Sequence, residues 1–138
     1  MNTIQIIGLG TAGEEDLTLR AHKALSERIP TFVRTDRHTL VDELRKNLDI
    51  TSFDNYFDKY ETFDEVYENI IHTLIEQSKQ YGKINYCTAG SPYYGDIVTN
   101  KLINEYKSQI NTIIIDGMSF LDKCFKMCVP FTLVCGMR

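Results

Sequence analysis

Three times in this chain an apolar-rich run ends on a glycine: "TIQIIGLG" at 3–10, "KINYCTAG" at 83–90 and "NTIIIDG" at 111–117. No other feature narrows the fold as much. The first run carries Ile4, Ile6 and Ile7 into Gly8, so side chains pointing to opposite faces are apolar alike. That pattern belongs to a strand buried on both sides, as in a parallel sheet. A glycine at the strand end lets the chain turn sharply and lets another group come close to the backbone.

The intervals between these runs read mainly as helices. Leu17, Ala21, Ala24 and Leu25 recur at helical spacing within 16–27, with Asp16 as the expected N-cap. A strand is expected at 31–35 after Pro30 and a short amphipathic helix at 39–48, while "DITSFD" at 49–54 gives mixed signals. Thr62 and Glu65 form a T-x-x-E capping box, and the stripe Val66, Tyr67, Ile70, Ile71, Leu74, Ile75 and Ser78 continues as a long helix ending near Gly82. Phe53, Tyr56, Phe57, Tyr60, Phe63 and Tyr67 recur at helical spacings, so they read as the apolar side of a helix and not as an open stacking platform. Further helices are expected at 96–107 and 118–128, with a last strand at 129–136. Strands alternating with helices imply βαβ units. The expected class is α/β, an open, mainly parallel, Rossmann-like sheet with helices on both faces. No repeat, low-complexity tract or linker divides the 138 residues, which suit a single domain.

Composition excludes several functions. Fifteen Lys and Arg against nineteen Asp and Glu give a net charge of -4 with no basic block, which argues against nucleic acid as a partner. No run approaches the roughly 20 apolar residues that span a bilayer. The N-terminus enters a strand pattern without a basic signal region, so no membrane association and a cytoplasmic location are expected. Cys87, Cys124, Cys128 and Cys135 contain no C-x-x-C pair and read as reduced thiols. Cys124 and Cys128 share a helix face, but no nearby His completes a metal site, and packing is the simpler role.

Gly8, Gly10 and Gly13 satisfy G-x-G-x-x-G, and Asp36 lies near the distance of a ribose-binding acid. A nicotinamide nucleotide is therefore one reading. Against it, Glu14, Glu15 and Asp16 separate the last glycine from the helix body, where they would repel a diphosphate and delay the helix N-terminus that should hold it.

The same residues resemble a different family. "GLGTAGEEDLT" at 8–18 aligns without a gap to the "GxGPGdxxxLT" opening of the tetrapyrrole methylase superfamily. "AGSP" at 89–92 stands where that family has "GDP" or "PGHP", and "DGMSF" at 116–120 where it has "PGxSS" or "PGxTA". Thr11 and Ala12 replace the usual "PG", Gly13 an acid, and Asp116 a proline. The stretches "RTDRHTLVDEL" and "FDEVYENI" look most like the methylase-like N-terminal region of MazG-type fusion proteins, in which a nucleoside triphosphate pyrophosphohydrolase domain follows.

The resemblance implies S-adenosylmethionine as cofactor, held in a cleft between two α/β domains. Carried over by motif position, the cofactor-binding residues are Thr11, Ala89, Gly90, Ser91, Tyr94, Ser119 and Phe120. No catalytic residue and no metal are implied: a sulfonium is already an activated methyl donor, so the protein mainly aligns it with an acceptor. His22, His38 and His72 read as surface or helix residues. The resemblance runs from about 3 to 128 and covers only the N-terminal half of such a fold. The expected missing wall implies weak cofactor binding by this half alone. A non-catalytic interaction module is the alternative, pairing with a second copy as a homodimer or with a pyrophosphohydrolase.

Overall fold

A computed structural model of the chain describes residues 2–11, 13–93 and 96–119. Five strands, β1 (Thr3–Gly8), β2 (Thr31–Val33), β3 (Ile50–Ser52), β4 (Lys83–Thr88) and β5 (Asn111–Ile115), form one sheet in the order β3-β2-β4-β1-β5. Every ladder is parallel. The helices are α1 (Leu19–Leu25), α2 (Thr39–Arg45), α3 (Asp54–Lys59), α4 (Phe63–Tyr81) and α5 (Ile97–Glu105).

Alternation along the strands sorts the core into two layers. Ile4, Ile6, Phe32, Ile84 and Tyr86 point to one face and pack with Val66, Ile70, Ile71 and Leu74 of α4 and with Val98 and Leu102 of α5. Ile7, Val33 and Cys87 point to the other and pack with Ala21, Ala24 and Leu25 of α1 and with Leu40 and Val41 of α2. Helices thus cover both faces of an open parallel sheet. Connections leaving β1 and β2 step toward the β3 edge, and the connection leaving β4 steps toward the β5 edge.

The capping box at Thr62 forms, its hydroxyl accepting the Glu65 N–H at 3.2 Å, and α4 ends where Gly82 adopts φ 81°. At the amino end of the strands, the Gln5 side-chain amide donates to Asn85 Oδ1 at 2.9 Å and Asn85 Nδ2 donates to Thr31 Oγ1 at 3.3 Å. Pairing offsets the desolvation cost of placing these polar groups in the core.

Two local expectations are corrected. The ambiguous stretch at 49–54 contains edge strand β3, followed directly by α3, so the aromatic series falls on two helices and the turn between them. Phe53 lies at the start of α3 and stacks on Phe32 at 5.7 Å between ring centres. Asp16 does not cap α1: it closes a single 3-10 turn, Glu14–Asp16, and Thr18 caps instead, accepting the Ala21 N–H at 3.1 Å. The helix expected at 118–128 and the strand expected at 129–136 lie outside the described residues, apart from the first two positions of the helix.

Candidate cofactor and substrate site

β1 and β4 are neighbours, yet the chain leaving β1 enters α1 on one face and the chain leaving β4 enters α5 on the other. This divergence at the carboxyl ends of parallel strands is where open α/β sheets bind ligands. Here it is bridged by glycines. Gly90 N–H donates to the Gly10 carbonyl at 2.8 Å and Gly10 N–H donates back to Gly90 at 3.3 Å, as an antiparallel pair. Gly10 and Gly90 adopt φ of 76° and 68°, a region open to glycine and costly for other residues.

The third turn joins the same point. A Cβ placed on Gly8 would lie 2.6 Å from the Gly90 oxygen and 2.7 Å from the Gly117 nitrogen, and one on Gly117 would lie 2.6 Å from the Gly8 carbonyl carbon. The close approach that glycine permits is therefore used by the protein's own backbone at positions 8 and 117. Side chains tie the turns further. Thr11 Oγ1 donates to Asp16 at 2.9 Å and lies 4.0 Å from the Met118 sulfur, and Thr18 Oγ1 donates to the Asp116 carbonyl at 3.2 Å.

Beside this junction a crevice of about 700 Å³ opens over the ends of β1, β2 and β4. Leu9, Val33 and Cys87 form its apolar part. Arg34, Arg37 and His38 border it from the loop after β2, Asp54, Phe57 and Asp58 from α3, and Asp96 from the start of α5. Asp96 is 3% exposed and caps α5 through the Thr99 N–H at 3.2 Å, with the Thr99 hydroxyl also bonded to it. The Tyr86 hydroxyl donates to it at 3.4 Å and the Arg34 guanidinium stands 3.6 Å away. Burial raises the Asp96 carboxyl above the usual carboxylate range, against the pull of Thr99, Arg34 and Tyr86. Asp54 goes the other way: burial lifts it, but hydrogen bonds from the Asp36 N–H, Thr35 and Ser52, with the Arg37 charge, outweigh that and hold it low.

Two further groups face this region. Burial pushes the Cys87 thiol up to about 12, so it stays protonated and is no nucleophile. The Thr88 hydroxyl is buried with no hydrogen-bond partner among the described residues. Also among the described residues, no three His, Cys, Asp or Glu side chains group to hold a metal ion.

Of the residues expected at the site, Ala89 borders the crevice and Gly90 lies in the glycine junction. Ser91 is buried with its hydroxyl accepting the Tyr93 N–H at 3.3 Å. Thr11 sits in the first turn and Ser119, also buried, just after the third. Tyr94 and Phe120 lie outside the described residues. Sequence reading missed Arg34, Asp54, Thr88 and Asp96. A signal existed for Asp96, since Asp96-x-x-Thr99 has N-cap spacing; nothing local marks it as a partner of Arg34. His38, read as a surface or helix residue, caps α2 and bonds to Gly10.

The dinucleotide reading loses its geometry here. α1 starts only at Leu19, behind the 3-10 turn, and the Asp36 carboxylate is held by Arg45 at 2.6 Å.

Comparison with known proteins identifies the family. Residues 3–128 match the model of the tetrapyrrole (corrin/porphyrin) methylases. The chain belongs to that family. A curated relative, the uncharacterized protein YabN of Bacillus subtilis, is 31% identical over 126 residues, covering 90% of this chain but 26% of its own length. Among solved structures, a uroporphyrin-III-C-methyltransferase from Thermus thermophilus superposes with a TM-score of 0.72 at 17% identity, covering 94% of this chain and 54% of that one. A protein from Entamoeba histolytica provisionally named a diphthine synthase gives 0.64 at 18%, covering 91% and 45%. This tetrapyrrole methylase chain thus spans about a quarter of the curated relative and about half of each solved structure. Among the described residues, no helix is long and apolar enough to cross a membrane.

Proposed function

We propose that the chain is the methyl-donor-binding half of an S-adenosylmethionine-dependent methyltransferase. The cofactor is taken up along the rim formed by Thr11, Ala89, Gly90, Ser91 and Ser119, next to the crevice. One observation carries this reading: all three glycine turns meet where the chain diverges from β1 and β4.

The residues present suit such a ligand. Its sulfonium and amino groups are cationic and its carboxylate anionic, and the crevice is bordered by Asp54, Asp58 and Asp96 together with Arg34 and Arg37. Its carboxylate and ribose need donors, and the Ser91 and Thr88 hydroxyls are not donating to any described group. A crevice of about 700 Å³ matches the range of roughly 300–1,000 Å³ of small-molecule sites. When bound, the cofactor supplies an activated methyl group, and the chain's task is to hold it in line with an acceptor. The residues named here form one wall of a site, and a ligand gains further affinity when it is buried between walls. Titration calorimetry with S-adenosylhomocysteine should give saturable heat at millimolar ligand. Absence of heat there counts against binding by this chain.

A second reading is supported by exposed apolar side chains. Leu19, Phe63, Tyr93 and Ile97 are 74%, 69%, 57% and 43% exposed. Three of them start α1, α4 and α5, and Tyr93 lies in the turn after β4. Exposed apolar side chains of this kind suit a module that docks on a second copy or on a pyrophosphohydrolase of the MazG type. Light scattering should then find a dimer, or a complex with that partner; a monomer that retains neither counts against it.

A further inference from the structure

We propose that His38 is a positioning residue that latches the first glycine turn to the crevice wall, with its proton on Nε2 and a lone pair on Nδ1. Both ring edges are engaged. Nδ1 lies 3.1 Å from the Leu40 nitrogen, and an amide can only donate, so Nδ1 accepts. Nε2 lies 2.9 Å from the Gly10 oxygen, and a carbonyl can only accept, so Nε2 donates. One tautomer satisfies both bonds.

The carbonyl that His38 holds is the one that takes the Gly90 N–H at 2.8 Å. Its two lone pairs are thus directed by two separate loops. Gly10 has little room of its own: it sits at φ 76°, and the Asp16 carbonyl oxygen lies 2.7 Å from where its Cβ would be. His38 also borders the crevice and shares the loop after β2 with Arg34 and Arg37. A molecule pressing on that loop therefore acts on the glycine junction through one imidazole. α2 anchors the loop from behind, with Leu40 and Val41 buried. This inference rests on the junction being the cofactor rim, and it names the side chain that couples the rim to the crevice.

The test separates cap from latch. In His38→Asn the side-chain oxygen takes the place of Nδ1 at the Leu40 N–H, but the amide falls short of Gly10. His38→Ala loses both bonds. Long-range nitrogen–proton correlation of the wild-type ring should show the Nε2–H tautomer. Amide exchange at Gly90 should speed up about five-fold in His38→Asn, the worth of one hydrogen bond, while the melting temperature falls by no more than a few degrees. S-adenosylhomocysteine should bind about five-fold more weakly to His38→Asn. An Nδ1–H ring, or Gly90 exchange unchanged in His38→Asn, overturns the latch. Faster exchange with unchanged affinity overturns the coupling. Should the wild-type chain bind no S-adenosylhomocysteine, the proposed function falls, and the tautomer and exchange results still decide the latch.

Discussion

The rim of the sheet has two unlike walls. Over β1, β4 and β5 it is mostly backbone, with Gly8 and Gly117 pressed against Gly90 and Gly10 paired to Gly90. Over β2 and α3 it is charge, with Arg34, Arg37, Asp54 and Asp58, joined by Asp96 from the start of α5, around an open volume. The first wall is held by shape, so any added atom meets backbone that has nowhere to go. The second is held by ion pairs and hydrogen bonds in partial contact with water, so its responses are graded. Geometry for a ligand would come from one wall and selectivity from the other.

The contrast is most exposed at Gly8 and Gly117. Alanine at either places Cβ within 2.7 Å of another turn's backbone, and overpacking of this kind costs about 3 kcal/mol. Urea unfolding should register that loss; a variant as stable as wild type would mean that the turns do not pack as described. On the charged wall, Arg34→Ala should cost less, about 1–2 kcal/mol, because the guanidinium is 32% exposed and stands 3.6 Å from Asp96. Equal losses at Gly8 and Arg34 would erase the distinction between the walls.

Thr88→Val should act in the opposite direction. It removes a buried hydroxyl that has no described partner, so the free chain should gain about 1 kcal/mol. If that hydroxyl serves the ligand, S-adenosylhomocysteine affinity should fall as stability rises, and a loss of stability would mean that the hydroxyl is satisfied.

A smaller effect concerns pH. Asp96 has a raised folded value, so the folded state holds a proton that the unfolded chain has lost, and stability declines as pH climbs from 3.8 through that value. Asp54 has a lowered value, so its contribution is present above 3.8 and disappears as pH falls through the folded value. Asp96→Asn keeps a capping oxygen for Thr99 and should remove only the first trend. Unfolding measured from acid to neutral pH should then show a smaller decline in the variant. Least of all should happen at Gly13, where a Cβ meets nothing within 4 Å: Gly13→Ala should stay within about 0.5 kcal/mol.

What the sequence made legible follows the range of the interactions. The cap at Thr62 and the helix end at Gly82 rest on neighbours within a few residues and stand where the pattern puts them. β1 and β4 instead stop at Gly8 and Thr88, two residues short of the runs 3–10 and 83–90. β3 was obscured because it is three residues long, carries Thr51 and Ser52, and pairs only with β2. Asp16 looks like a cap by spacing, but the left-handed turn at Gly10 packs against it and Thr11 occupies its carboxylate. Arg34 and Asp96 meet only because β2 and β4 are adjacent in the sheet, and no local pattern encodes that adjacency.

The strand order has a consequence for how the protein is made. β4 lies between β2 and β1, and β5 flanks β1 on its other side. A nascent chain that has emerged only as far as Gly82 holds a β2–β3 pair and an N-terminal strand with neither neighbour in existence. Synthesis cannot finish the centre of the sheet in passing; it must wait for a late segment to thread between early ones, the non-local closure that slows folding. Until residue 88 clears the ribosome, Ile4, Ile6 and Ile7 have no sheet to enter, and that interval is when chaperones would find this chain.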